Sequence, residues 1–254
     1  MGIRVGVFGA GGRMGATVCA AVVEDPGLDL VGAIDPAHEG ELVQGVTIVA
    51  DPSKVDAQVD VVIDFTQIDA ARANALWAAE QGVHAVIGTS GFTNEDFERL
   101  RGAFTRSNCV IAPNFAIGAV LMTVFAERAA PFFDTADIVE MHHDGKRDAP
   151  SGTAMHTADR LAAASSDWAP DPTQDMVLEG ARGSTGPAGI HIHALRVRGM
   201  VASQEVILGT TGQSLTIRHD TYDRSSFMPG VLVAVKAVAD HPGVTVGLDQ
   251  LLDL

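Results

Sequence analysis

The sequence predicts an α/β protein of two domains, the first built on a parallel sheet and the second an α+β domain with a mixed, largely antiparallel sheet. Three observations carry the prediction. A β-branched strand, Ile3 to Phe8, runs into the glycine turn Gly9-Ala10-Gly11-Gly12-Arg13-Met14-Gly15 and then into a helical pattern. Strand and helix patterns alternate from there as far as Asn114, the rhythm of βαβ units and hence of a Rossmann-like sheet. After Asn114 that rhythm gives way to short alternating strands and Gly-rich turns. The expected division is 1–113 with 224–254 as a dinucleotide-binding domain, and 114–223 as a second domain.

The elements follow in order. A strand buried on both faces, such as Ile3 to Phe8, reads as continuously apolar. Glycines at 9, 12 and 15 permit a tight turn and close approach of backbone to a pyrophosphate at the helix start. Pro26 and Gly27 end the first helix, and Leu28 to Ile34 forms a strand finishing at Asp35. That acid lies twenty residues after Gly15, where a carboxylate accepts from ribose hydroxyls. Strand Val59 to Phe65, helix Ile68 to Gln81 closed by Gly82, and strand Val83 to Ile87 follow. Helix Asn94 to Phe104 and strand Cys109 to Ala112 complete the alternation. Thr66, Thr89, Ser90 and Asn114 stand at strand C-terminal ends, where open sheets bind ligands; ordinary turn chemistry accounts for each singly. Ile117 to Phe132 reads as a helix, and Ser165 to Gln174 and Gly180 to Gly189 as loops. Ile190 to His193, Gln204 to Leu208 and Gln213 to His219 read as strands, with Gly209 to Gly212 as a hairpin turn. Pro229 to Asp240 is a helix, and the tail after it is too short to fold alone and should pack on the nucleotide domain.

Composition narrows the classes. Lys and Arg number 17 against 32 Asp and Glu, a formal charge of −15 over 254 residues. So acidic a chain is a poor partner for nucleic acid or an anionic membrane. No apolar run reaches the ~18 residues of a membrane helix, and the first residues read as a strand rather than a signal peptide. Cys19 and Cys109 have no metal or disulfide spacing. The expectation is a soluble cytoplasmic protein.

The stretch that concentrates chemistry is Glu140 to Ala154, Glu-Met-His-His-Asp-Gly-Lys-Arg-Asp-Ala-Pro-Ser-Gly-Thr-Ala. It follows a buried-strand pattern, Ala136 to Met141. His142 and His143 should face opposite sides, because strand side chains alternate. Gly145 lets the backbone fold over and return Lys146 towards one imidazole. Pro150 and Ser151 open a helix with Ser151 as N-cap and no capping-box Glu or Gln, which leaves the amides of Gly152 and Thr153 for an anion. Imidazole, ammonium and anion cradle suit an acidic substrate that needs protons moved. Singly, each residue is more simply a solvated polar side chain.

Other groupings are weaker. His191 and His193 share a strand face and could join His142 and His143 around a metal, but no carboxylate or thiol stands at ligand spacing. Polar histidines lining a cleft or interface are the favoured reading. Cys109 inside an apolar strand is a small buried hydrophobe rather than a nucleophile. Ser151 lacks the G-x-S-x-G elbow. Arg182, Arg196, Arg198 and Arg218 read as surface or interface charges, one of which could reach substrate.

The pattern His-His-x-x-Lys-x-Asp-Ala-Pro-Ser-Gly-Thr-Ala from His142 resembles the signature of bacterial 4-hydroxy-tetrahydrodipicolinate reductases (dihydrodipicolinate reductases). Gly9 to Gly15, Gly88-Thr89-Ser90-Gly91-Phe92 and Pro113-Asn114-Phe115 resemble that family's other blocks in the same order. The likeness implies reduction of a cyclic dicarboxylate with NADH or NADPH in diaminopimelate and lysine biosynthesis, by a homotetramer joined through its C-terminal sheets. It implies His142 as proton donor and acceptor and Lys146 as a second acid. His143, Gly152 and Thr153 would hold substrate carboxylates. Gly9, Ala10, Gly11, Gly12, Arg13, Met14, Asp35, Gly88, Thr89, Ser90, Ala112, Pro113, Asn114 and Phe115 would line the cofactor. Arg13 could reach a 2′-phosphate that Asp35 would repel. A non-catalytic nicotinamide sensor, or another NAD(P)-dependent oxidoreductase of the same plan, are the alternatives.

Overall fold

A computed structural model describes residues 2–252. In chain order the first elements are β1 (Ile3–Phe8), α1 (Arg13–Glu24), β2 (Leu28–Ile34), β3 (Leu42–Val43), β4 (Val46–Val49) and β5 (Val61–Asp64). Then come α2 (Ile68–Gln81), β6 (His84–Ile87), α3 (Asn94–Ala103), β7 (Cys109–Ile111), α4 (Ile117–Ala129), β8 (Thr135–His142) and α5 (Gly152–Ala164). The last are β9 (Ser184–Thr185), β10 (His191–Arg196), β11 (Ala202–Thr210), β12 (Gln213–Thr221), α6 (Met228–Ala237) and β13 (Val244–Val246). The chain forms two compact units, one running through Ala116 and resuming at Arg224, the other Ile117–Asp223.

The first unit holds an eight-stranded sheet in the order β13-β7-β6-β5-β1-β2-β4-β3, parallel except for the β3–β4 pair. Its central strands β5, β6 and β7 are short and almost wholly buried, as crossover helices on a parallel sheet require. Helix α2 shows how local chemistry sets the ends. It presents Ala71, Ala75 and Ala78 to the sheet and stops at Gly82, whose φ of +70° places it in the left-handed conformation that closes helices. Helix α3 starts at a complete capping box, Thr93 exchanging bonds with Asp96. After α6 the chain returns to this sheet, where Val244–Val246 is the edge strand, parallel to β7. The β3–β4 ribbon was not expected. Its strands are two and four residues long, too short for a hydrophobic period to show.

The second unit is a five-stranded sheet in the order β12-β11-β8-β10-β9, with β8–β10 parallel and the other pairs antiparallel. Met122 and Ala126 of α4 and Leu161 of α5 pack on Ile138, Val206 and Leu208. The β11–β12 turn is shorter than the expected four residues. Thr210 pairs with Gln213, so Thr211 and Gly212 alone turn the chain, Gly212 at φ +81°.

Candidate active site

In the first unit the glycine turn is held under strand β2. The Gly9 and Ala10 amides donate to the Ile34 carbonyl at 2.7 and 3.3 Å, and the Gly12 amide to the Gly9 carbonyl at 3.0 Å. Gly9 adopts φ +74°, which disfavours a side chain. A Cβ on Gly15 would lie 2.0 Å from the Gly9 carbonyl oxygen, so the third glycine exists for contact between α1 and the turn. Gly12 caps α1 with no side-chain bond, leaving the helix start to backbone amides. Arg13 is exposed, Met14 half-buried beside it, and no ion pair engages Arg13 among the described residues. Asp35 is buried and accepts from the Gly11 and Ala37 amides at 3.1 and 3.0 Å, with His38 Nδ1 3.1 Å away. It therefore organises the turn as well as bearing an acceptor beside it.

A cleft of about 320 Å³ opens above β5 and β6, lined by Phe65, Thr66, Gln67, Gly88, Thr89 and Ser90. Its floor is set by Asp64, 2 % exposed. Asp64 accepts from the Thr66 amide and hydroxyl at 2.8 and 2.7 Å, from Thr89 Oγ1 at 3.1 Å and from Asn74 Nδ2 at 2.7 Å. The Phe65 ring lies over Gly88, leaving no room for a Cβ there. Asn114 folds its side chain back to the Ala116 amide at 2.9 Å after Pro113, while Ala10, Ala112 and Phe115 are packed beneath the loops. Cys109 is fully buried in β7, and burial pushes its thiol up, so it is unreactive.

In the second unit the chemistry gathers around Glu140. Ala136, Ile138 and Glu140 share the buried face of β8, and Glu140 is completely covered. Its carboxylate accepts from Arg196 Nη1 and Nη2, each at 3.0 Å, and from the Ser151 amide at 3.1 Å. It also lies 2.5 Å from Nδ1 of His142, two residues along the same face. Burial pushes the Glu140 carboxyl up, but Arg196 and His142 outweigh burial and hold it below the ordinary range. Burial also holds the His142 imidazole below its ordinary value. Glu140 opposes that shift, while Lys146 and Arg196 reinforce it.

Past His142 the chain turns, the Lys146 amide donating to the His143 carbonyl at 3.2 Å. Gly145 is not in a left-handed conformation here. What it supplies is space, since a Cβ would stand 3.2 Å from His143 Nδ1. His143 is exposed, and the largely covered Lys146 ammonium pairs with Asp148 at 2.8 Å. Lys146 holds the Asp148 carboxyl below its usual range. Pro150 precedes the helix rather than opening it. Ser151 is the N-cap, its Oγ accepting from the Ala154 amide at 3.2 Å, so Gly152 and Thr153 form the first turn of α5. Arg196 Nη2 also donates to the Asp148 carbonyl at 2.6 Å, tying this loop to β10.

Arg196, read from sequence as a surface or interface charge, is half-buried and is the cationic partner of the buried Glu140. Arg182 pairs with Asp137, Arg198 with Asp144, and Arg218 with Glu205 and Asp220. The histidines do not converge. Register sets Arg196 opposite His142 and His193 opposite Val139, roughly 10 Å back along the strand. His193 Nε2 lies 2.9 Å from Asp137, and His191 Nε2 lies 3.0 Å from Asp171. Glu140 and Arg196 were missed as functional partners, and Asp64 as the hub of its loops. The one available signal was an acid on the inward parity of an apolar strand.

A Rossmann-like sheet with a glycine turn and a mixed-sheet domain bearing an imidazole–ammonium pair define a two-domain nicotinamide-dependent oxidoreductase plan. The model for the dihydrodipicolinate reductase N-terminus matches residues 3–115, and that for its C-terminus matches 118–252. The chain belongs to the dihydrodipicolinate reductase family. It is 49 % identical to 4-hydroxy-tetrahydrodipicolinate reductase of Corynebacterium urealyticum, over 99 % of both chains. Against the enzyme of the same name from Cutibacterium acnes the identity is 46 %, again over 99 % of both. The structure of dipicolinate-bound dihydrodipicolinate reductase from Paenisporosarcina sp. TG-14 superposes with a TM-score of 0.88 at 36 % identity, covering 98 % of this chain and 99 % of that one.

Proposed function

We propose that the protein reduces 4-hydroxy-tetrahydrodipicolinate to tetrahydrodipicolinate with NADH or NADPH, in diaminopimelate and lysine biosynthesis. The observation that carries the reading is the His142–Glu140–Arg196 cluster beside the start of α5, within a chain whose relatives bear that activity. The unit through Ala116, resumed at Arg224, is the dinucleotide-binding domain, and Ile117–Asp223 the domain for substrate and oligomer contacts. The dinucleotide, when bound, supplies the hydride. The start of α1, which no side chain caps, and the tight glycine turn before it suit its pyrophosphate, and Asp35 its ribose. Gly88, Thr89, Ser90 and Pro113 to Phe115 form or support the adjoining loops.

Replacing the ring hydroxyl by hydride releases that hydroxyl as water and consumes one proton. His142 is the donor and acceptor of that proton, and Lys146 a second acid. The substrate carboxylates meet His143 and the first-turn amides of α5 at Gly152 and Thr153, where the helix dipole favours anions. A general acid so placed contributes ~10²–10⁴-fold in rate. The assembly is a homotetramer, supported by the sheet face opposite α4 and α5, which carries Val139, Met141 and Leu195 with paired charges. The enzyme acts in the cytoplasm. No helix among the described residues is long and apolar enough to cross a membrane. A nicotinamide sensor is not favoured, because the relatives are named as reductases.

The test generates the substrate in situ from aspartate semialdehyde and pyruvate with its synthase and follows NADH and NADPH oxidation separately. Oxidation that requires the complete mixture is expected. Dinucleotide binding with no oxidation by either cofactor would return the reading to a sensor.

A further inference from the structure

We propose that Glu140 is a positioning residue for proton transfer, its carboxylate holding His142 with the proton on Nδ1 so that Nε2 exchanges protons with the substrate. The inference rests on the reading of His142 as the acid. Its basis is geometric. Glu140 is completely buried, and four groups converge on its two oxygens: both Arg196 terminal nitrogens, the Ser151 amide and His142 Nδ1. Arg196 and the Ser151 amide can only donate, so the carboxylate is fixed as an ionised acceptor. An ionised acceptor 2.5 Å from Nδ1 selects the Nδ1–H tautomer of the neutral ring. A carboxylate behind an imidazole orients the ring and stabilises the imidazolium, as in hydrolytic triads and histidine metal sites.

The same carboxylate reaches the other half of the site. Ser151 is the N-cap of α5, so its amide bond to Glu140 Oε1 fixes the helix whose first turn carries Gly152 and Thr153. Arg196 extends the link to the backbone carbonyl of Asp148, whose side chain pairs with Lys146. One buried acid thus sets the spacing between the proton donor and the anion-binding helix start. A purely structural Glu140–Arg196 pair would stabilise β8 against β10 but leave the titration of His142 unchanged.

Three charged groups act on His142: Glu140 on its own strand, Arg196 on β10 and Lys146 on the following loop. Glu140 alone favours the protonated ring. In Glu140→Gln only the two cations and burial remain, so the variant should lose its active form at lower pH. The pH limb of kcat moves down by about one unit or more. At pH 7.5 kcat falls about 10–100-fold, in line with lost partners behind a histidine. The KM for NADH changes less than twofold, and activity recovers relative to wild type on acidification. Glu140→Asp keeps the charge and restores the limb in part.

A measurement on the wild-type protein needs no Glu140 variant to fold. Two-bond ¹H–¹⁵N correlation of ¹⁵N-histidine-labelled protein, with His142 assigned by its loss in His142→Ala, reads the tautomer directly. A protonated Nδ1 and bare Nε2 at alkaline pH are expected. The opposite tautomer, or a Glu140→Gln variant with an unmoved pH limb, overturns the proposal. Wild-type protein that fails to oxidise NAD(P)H with the substrate would instead sink the functional reading, and the tautomer would still decide the role of Glu140.

Discussion

Replacing Gly15 by Ala separates the function of the glycine turn from its stability. The new Cβ would stand 2.0 Å from the Gly9 carbonyl oxygen, 2.6 Å from its carbon and 2.8 Å from the Ala10 Cα. All three are backbone atoms, so no side chain can swing aside. Reaching ordinary contact at 3.4 Å requires α1 and the turn to part by about 1.4 Å. The turn is pinned by the bonds of Gly9 and Ala10 to the Ile34 carbonyl, and the Gly9 oxygen already accepts from the Gly12 amide. Losing that bond costs about 1 kcal/mol and overpacking ~1–3 kcal/mol. Alanine's better helix propensity returns about 1 kcal/mol. The net destabilisation of ~1–3 kcal/mol lowers Tm by roughly 3–10 °C for a chain of this size. A displacement above 1 Å at the pyrophosphate cradle should weaken NADH binding at least tenfold, read by calorimetric titration. Gly102→Ala in α3 is the control, because a Cβ there meets nothing within 4 Å. It should be neutral or stabilise by ~0.4–1 kcal/mol. A Gly15→Ala protein that binds NADH like wild type, with an unchanged Tm, would refute the close-contact argument.

Three further outcomes are expected. Lys146→Ala lowers kcat by ~10²–10⁴-fold with NADH affinity retained, so normal turnover in steady-state assays would remove its role as an acid. Asp64→Asn turns an amide donor toward one of the groups donating to Asp64, all of them within 3.1 Å. It should cost ~1–3 kcal/mol and raise the KM for the dinucleotide; an unmoved urea midpoint would argue against a hub there. Burial holds His84, His142 and His219 below their ordinary value. The unfolded chain therefore takes up protons first as pH falls through about 6.5, and stability declines from pH 7 to 5. Carboxylates held low by partners, Asp60, Asp137 and Glu140 among them, extend the loss below pH 4. Urea midpoints that stay level or rise on acidification would contradict this.

The fold was legible wherever local chemistry decides. Helix α2 ends where Gly82 provides a left-handed residue, and Ile68–Gln81 matches its sequence reading at both ends. Strand Val59 to Phe65 contracts to Val61–Asp64, because apolar content does not reveal where a ladder stops. The helix read through Phe132 ends at Ala129 and tightens into a 3₁₀ turn, Ala130–Phe132, with Pro131 inside it. β13 was hidden for a different reason. Three residues become a strand only because β7 lies open beside them, and pairing across more than a hundred residues leaves no local trace.

The site divides in the same way. His142, Lys146 and Ser151 announced themselves through residue type and proximity in sequence. Arg196 did not, because its role is set by the parallel register that places it opposite His142, 54 positions away. Yet half of the pair was exposed by parity. Ala136 and Ile138 face inward, so the period-two rule carries Glu140 inward too. An ionised carboxylate there is untenable without cationic or hydrogen-bonding partners. One of those partners had to be a strong donor, and the next histidine on the same face lies two residues on. The buried acid therefore called for cationic or hydrogen-bonding partners from neighbouring elements and pointed at His142, and the parallel register of β10 on β8 makes Arg196 the cation that answers it.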